Sequence, residues 1–139
     1  MQILGLDVGD RTIGIAASDG LMLTAQGVET IHRKSLQQDL DRLKELVTQY
    51  GTDMLVVGLP KNMDGTEGER CSFVREFGEV LQQSFPAIQI VFWDERLSTV
   101  AAAKSLIAAD VSRSKRKKVI DKMAAVFILQ GYLDSRCQK

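Results

Sequence analysis

The chain has 139 residues, enough for one hydrophobic core but too few for two comfortable ones. It is 45% hydrophobic and 26% charged, an ordinary globular balance, with no apolar run of membrane-spanning length and no basic-then-apolar leader pattern at its start. Lys plus Arg and Asp plus Glu both number 18, so net charge argues neither for nor against a polyanionic partner, and local distribution decides.

The opening stretch, MQILGLDVGDRTIGIAAS, predicts a hairpin. In its first apolar run Ile3, Gly5 and Asp7 share one strand face, while Leu4, Leu6 and Val8 share the other. Gly9 turns the chain and a second apolar run starts at Thr12. Gly20 marks another turn, and Leu21 to Val28 predict a third strand, so the three form an antiparallel meander. The period then changes. In SLQQDLDRLKELVTQY, Leu36, Leu40, Leu43, Val47 and Tyr50 fall at helical spacing, with Asp39, Arg42 and Lys44 outside, Ser35 as cap and Gly51 as stop. His32, the only histidine, precedes this helix and reads as a loop residue rather than a general base.

MLVVG, positions 54 to 58, is a continuous apolar run suited to a strand buried on both faces. Helical patterns flank it, so the sheet becomes parallel here. LPKNMDGTEGE is the loop at its end. A second helix is predicted from about Glu67 to Ser84, with Phe73, Phe77 and Leu81 on its core side. A strand from Ile88 to Trp93 follows and runs into DERLST, with Phe92 and Trp93 as core residues. Ser98 or Thr99 caps a next helix with Ala102, Leu106 and Ala109 inside. VSRSKRKK has no apolar period, and its five basic residues in six positions predict a mobile loop. Ile120, Met123, Ala124, Phe127 and Leu129 support a final helix from near Val119, with Gln138 and Lys139 frayed. The expectation is one α/β domain over residues 1–139: a mixed five-stranded sheet flanked by helices, with function beyond the C-terminal ends of the parallel strands.

Acidic residues stand at those ends. Asp7 closes the first strand, Asp94 and Glu95 close the last, and Asp121 opens the final helix, with Ala124 and Ala125 on its side allowing close approach to the sheet. Carboxylates converging there would repel one another without a hard cation. Mg²⁺ or Mn²⁺ takes oxygen ligands and bridges to phosphate, which points to phosphodiester chemistry. The blander alternatives are an Asp7 that satisfies turn amides, solvated strand-end charges at Asp94 and Glu95, and an Asp121 favoured by a helix dipole. Because neighbouring strand residues face opposite ways, Glu95 is preferred as ligand, and Asp94 is held as its substitute or supporting partner.

Arg11 and Arg96 suit a substrate phosphate, or equally the neutralisation of adjacent acids. Lys61 and Asn62, with Asp64, Gly65 and Thr66, occupy the loop after the buried strand and could position nucleic acid. Asp64-Gly65 also reads as a turn. The run Arg113, Lys115, Arg116, Lys117 and Lys118 borders Asp121 and suits a nucleic-acid backbone. Cys71 and Cys137 lie in no metal-like spacing and read as free thiols in a reducing compartment, so the cytoplasm is the expected location.

GLDVGDRTIGIAASD, VVGLPKNMDGT, DERLST and IDKMAAVFILQGYLD resemble, in order and over nearly the whole chain, the motifs of the bacterial YqgF family, also called RuvX. The resemblance implies a ribonuclease H-like fold related to Holliday junction resolvases. It also implies a cytoplasmic role in processing the 5′ end of pre-16S rRNA, as a hydrolase acting on ester bonds. Carried over by motif, the catalytic and metal-binding acids are Asp7, Glu95 and Asp121. The implied partner is precursor 16S rRNA or a pre-ribosomal particle, with a DNA junction as the older alternative, and the expected state is a monomer or weak homodimer. Two other readings stay open. One is a nucleic-acid-binding assembly factor without catalysis. The other is an ATP-binding enzyme, since the Asp-x-Gly hairpin also resembles the phosphate loop of actin-like folds, although those normally use two such domains.

Overall fold

Strands Leu4–Val8 (β1), Thr12–Ser18 (β2), Ala25–His32 (β3), Met54–Leu59 (β4) and Gln89–Asp94 (β5) form one sheet in this computed structural model. Helices Leu36–Tyr50 (α1), Glu69–Ser84 (α2) and Arg113–Cys137 (α3) accompany it, and one 3-10 turn, Glu95–Leu97, follows β5. The structure describes residues 2–97 and 113–137, and in the second stretch the side chains from 123 to 136. The helix expected after Ser98 lies outside the described residues, as do Gln138 and Lys139.

The sheet order is β3-β2-β1-β4-β5. β1 pairs antiparallel with β2 and β2 with β3, while β1 pairs parallel with β4 and β4 with β5. This is the mixed five-stranded α/β architecture expected from the period changes. Alternation along the strands sorts the core into two layers. Leu4, Leu6, Val8, Leu55, Val57 and Leu59 pack with Leu43, Leu46, Val74 and Leu81 of α1 and α2. Ile3, Ala16 and Val56 pack on the other face with Ala124, Ala125, Ile128, Leu129 and Leu133 of α3.

Four boundaries or placements differ from expectation. β3 starts at Ala25 rather than Leu21, because the Asp19 carboxylate accepts from the Leu23 and Thr24 amides and holds the chain in a turn. Leu21 is accordingly exposed, and His32 becomes the last residue of β3, paired with Thr12, instead of a loop residue. Asp39, expected outside α1, is buried against Arg33 with an Nε–Oδ2 distance of 2.8 Å. It shares a stripe with Leu43 and Leu46, and its guanidinium partner makes burial of the charge tolerable. Residues 113–118, expected as a mobile loop, are the first turns of α3. Lys and Arg are good helix formers and like-charge repulsion along a helix is weak, about 0.2–0.5 kcal/mol per pair, so extension of a docked helix prevails.

Candidate functional site

α3 lies close on the sheet because the strands beneath it lack side chains at two points. A Cβ on Gly5 would stand 2.7 Å from the Leu129 Cβ and 3.2 Å from the Ala125 carbonyl oxygen. A Cβ on Gly58 would meet Ile128, with its Cγ1 at 2.9 Å, and would lie 3.2 Å from Oε2 of Glu95. Gly58 follows Val57, the parallel neighbour of Leu6, so it adjoins Asp7 across the β1–β4 pair. Asp7 is half-buried and continues the Ile3–Gly5 stripe on the α3 face. The Asp7 and Glu95 carboxylates therefore flank one glycine on one face, at the C-terminal ends of the parallel strands.

Glu95 reaches that face because β5 ends at Asp94 and the chain enters the 3-10 turn. Trp93 packs toward α3 and Phe92 toward α2, so Asp94 follows Phe92 onto the opposite side. There Arg96 engages it, with Nη2–Oδ2 at 2.7 Å and Nε–Oδ1 at 3.1 Å, and the Arg96 amide also donates to Oδ1. The guanidinium holds the Asp94 carboxyl below the ordinary aspartate range. The structure thus brings Asp7 and Glu95 together and gives Asp94 to Arg96.

The direction of α3 places position 121. Gln130 accepts from the Ala25 amide at 2.9 Å and donates to the Leu23 carbonyl at 3.0 Å. Ala25 pairs with Ser18, at the sheet edge remote from Asp7, so α3 descends from the Asp7 edge. From Ala125 back to Asp121 a helix rises ~6 Å, and from Gly5 to Asp7 a strand advances ~6.6 Å. The Asp121 backbone consequently comes level with the end of β1, while its side chain lies outside those described. Among the described residues alone, no group of three or more His, Cys, Asp or Glu gathers at metal-holding distance. The side chains of Arg113, Lys115, Arg116, Lys117 and Lys118 are likewise outside the described set, but their backbone forms the end of α3 that precedes Asp121.

The loop between β4 and α2 closes on itself. The Asn62 amide donates to the Thr66 carbonyl and the Gly65 amide to the Asn62 carbonyl, both at 2.9 Å. Asn62 Nδ2 donates to Thr66 Oγ1, which donates to Asp64 Oδ1 at 2.6 Å, and this hydroxyl holds the Asp64 carboxyl low. Lys61 pairs with Glu67 at 3.8 Å, and Arg75 grips Glu67 at 2.6 Å. Lys61 and Asn62 thus have structural partners as well as a place at the rim. Arg11 is exposed at the β1–β2 loop and forms no ion pair among the described residues.

Two arginines that pattern reading passed over fix that same loop. Arg33 Nη1 donates to the Gly9 carbonyl at 2.9 Å while its Nε holds Asp39. Arg70 pairs with Asp10 at 3.2 Å and lies over Phe73. Their contacts span 24 and 60 residues of sequence, which no local period reports. Gly58 is the other omission: only the strand register shows that it separates two acids.

A meander leading into parallel strands, with acids at the strand ends under one helix, defines the ribonuclease H-like class of α/β proteins. Solved structures agree on the fold. Thermus thermophilus RuvC in complex with a Holliday junction substrate superposes with a TM-score of 0.58 at 14% identity, covering 99% of this chain and 96% of that one. The fowlpox virus Holliday junction resolvase gives 0.56 at 15% identity, covering 98% and 99%. The chain belongs to the RuvX family, whose model, described as a Holliday junction resolvase, matches residues 1–135. It is 59% identical over 137 residues to a Bacillus pumilus protein provisionally named pre-16S rRNA nuclease, covering 97% of this chain and 99% of that one. A Clostridium novyi protein of the same provisional name is 56% identical over 135 residues, covering 97% and 99%. Among the described residues no helix is long and apolar enough to cross a membrane.

Proposed function

We propose that this chain is a divalent-metal-dependent endonuclease that hydrolyses phosphodiester bonds, acting in the cytoplasm on the 5′ end of precursor 16S rRNA. The observation that carries the chemistry is the placement of Asp7 and Glu95 on either side of Gly58, on the face covered by α3. The substrate assignment is supported by relatives above half identity rather than by fold likeness at 14–15%.

The donor set is of the hard, oxygen-donating kind that suits a divalent cation: the carboxylates of Asp7 and Glu95 belong to one face on either side of Gly58, and the direction of α3 supports Asp121 as the third. Asp7, Glu95 and Asp121 would hold Mg²⁺ or Mn²⁺. When bound, the cation supplies activation of water for attack on phosphorus and charge stabilisation for the departing 3′ oxygen. Asp94 keeps Arg96 oriented across the loop rather than serving as a primary ligand. Arg11 and the basic run at 113–118 hold the phosphate backbone, and Lys61 and Arg96 add positive charge at the rim. Asn62 keeps the loop closed around Thr66.

The test is cleavage of labelled precursor 16S rRNA and of a four-way DNA junction with Mg²⁺, Mn²⁺ or chelator, run beside Asp7→Asn. The expected result is metal-dependent RNA cutting. It should fall in the variant by more than the ~10–100-fold typical of outer-shell changes at metal sites, with RNA binding retained. Junction cutting without RNA cutting would favour the second reading, a DNA resolvase, which the family model's description supports. Cutting of neither would leave an RNA-binding assembly factor.

A further inference from the structure

The hairpin tip that carries Asp7 outruns part of its support. The β1–β4 ladder ends at Leu6 and Val57, and beyond it the ladder partners are in β2, with Asp7 facing Gly14 and Val8 facing Ile13. The Gly9 amide closes the tip on the Thr12 carbonyl at 2.8 Å. A two-stranded hairpin is marginal by itself, so a fixed tip needs contacts from outside it. Arg33 makes two. Its backbone amide donates to the Arg11 carbonyl at 2.8 Å, and its Nη1 donates to the Gly9 carbonyl at 2.9 Å.

The anchor behind that guanidinium is a buried ion pair. Its Nε holds Asp39 of α1 at 2.8 Å, with the Asp39 side chain 2% exposed and that of Arg33 16%. The guanidinium carbon lies 5.1 Å from the Phe77 ring centre and 5.8 Å from that of Phe73, both on α2. Two helices and the hairpin tip thus meet on one side chain. Stability alone does not account for this choice, because apolar residues in place of a buried ion pair are often neutral or stabilising. Asp39 shares a stripe with Leu43 and Leu46, where another apolar residue would pack. An apolar pair, however, has no donor for the Gly9 carbonyl. Arg70 also reaches the tip, through Asp10 at 3.2 Å, but both of those side chains are exposed and such pairs hold little.

We infer that Arg33, anchored on Asp39, is a positioning residue for the cleavage reaction: it fixes the Gly9 carbonyl and with it the end of β1, so that the Asp7 carboxylate keeps its place relative to Glu95. This rests on the nuclease reading. Arginine suits the task because its planar fork offers separate N–H groups to two acceptors in fixed directions, whereas a lysine ammonium is a single point charge. Asp39 sets the direction of the fork, and Phe73 and Phe77 line its surroundings. Phe77 belongs to the core beneath α1 and α2, while Asp7 continues the stripe beneath α3. Arg33 therefore acts through the hairpin tip rather than on the reacting atoms.

The test pairs Arg33→Lys with a double variant, Arg33→Met and Asp39→Leu, which removes the donor without stranding a buried charge. Leu6→Ala, a buried core change, is the control for lost stability. Each protein is read for melting temperature, single-turnover cleavage of labelled precursor 16S rRNA with Mg²⁺, RNA affinity in Ca²⁺, and Mn²⁺ affinity by calorimetry. Both Arg33 variants should cleave ~10–100-fold more slowly at saturating RNA and bind Mn²⁺ about tenfold more weakly, the scale of outer-shell changes at metal sites. RNA affinity should stay within about threefold, since several phosphate contacts share it. The double variant should melt no lower than Leu6→Ala, whose cleavage per folded molecule should stay near normal. A double variant that matches the intact protein in rate and Mn²⁺ affinity would overturn the positioning role and leave the nuclease reading standing. A loss of rate that Leu6→Ala shares would also overturn it. Should the double variant melt below Leu6→Ala, Arg33→Lys decides, and full rate and Mn²⁺ affinity there would sink the role. An intact protein that neither cuts RNA nor takes up Mn²⁺ would overturn the nuclease reading, and the positioning role with it.

Discussion

The two faces of the sheet are built on opposite rules. Beneath α1 and α2 the strands present Leu4, Leu6, Val8, Leu55, Val57 and Leu59, all buried. Beneath α3 they present Gly5, Ala16 and Gly58 between Ile3 and Val56, and the helix answers with Ala124 and Ala125 beside Ile128, Leu129 and Leu133. The first face gains stability from apolar volume. The second gives up volume so that a helix backbone can sit against a strand, and its stripe ends in Asp7 with Glu95 alongside. One face holds the fold; the other brings acids from distant parts of the chain to one edge.

Substitutions chosen one per face can break that division. The largest stability effect is expected from Leu6→Ala, which empties a fully buried site on the thick face and should cost ~2–5 kcal/mol in denaturant unfolding. Cleavage per folded molecule should stay near normal, since Leu6 points away from Asp7. If cleavage fell as far as in Asp7→Asn, the faces would not be separable. Gly58→Ala on the thin face should cost less stability, ~1–3 kcal/mol, because the Ile128 side chain can give way. Its cleavage loss should be disproportionate, ~10–100-fold, because the added Cβ crowds the Glu95 carboxylate at 3.2 Å. Unfolding curves paired with single-turnover cleavage would separate the two signatures. A Gly58→Ala protein that is destabilised yet fully active would refute the role given to that glycine.

The thick face was legible in the sequence and the thin one only partly. Alternation at Leu4, Leu6 and Val8 and helical spacing at Leu43 report burial directly, because large apolar residues have few other uses at those periods. Gly5 and Gly58 carry no such signal: a glycine in a strand reads the same whether a helix, a ligand or nothing lies above it. Asp7 and Glu95 were recognisable as candidates from strand ends and motif resemblance, but their juxtaposition depends on the β1–β4 register. The apolar run at Leu21 misled because Asp19 caps a turn that local hydrophobicity does not reveal. Arg33 was invisible for a related reason. Its value lies in reaching both Asp39 and the Gly9 carbonyl, and composition around residue 33 contains neither.

The smallest expected effect concerns Asp94, which sits at the boundary between the two faces. Its pKa is lowered, first by the hydrogen bond from the Arg96 side chain. The pair therefore contributes stability above the unfolded aspartate pKa, about 4, and loses it as pH falls through the folded value. Both partners are partly solvated, so the contribution should be no more than about 1 kcal/mol. Urea unfolding of the intact protein and Asp94→Asn should differ by that amount near neutrality and converge in the acid limb. Cleavage by Asp94→Asn should persist with only a few-fold loss, because its carboxylate turns toward Arg96 and away from Asp7. A loss as deep as that of Asp7→Asn would make Asp94 a member of the carboxylate site. The rule that strand alternation divides structural from chemical residues would then fail where β5 ends.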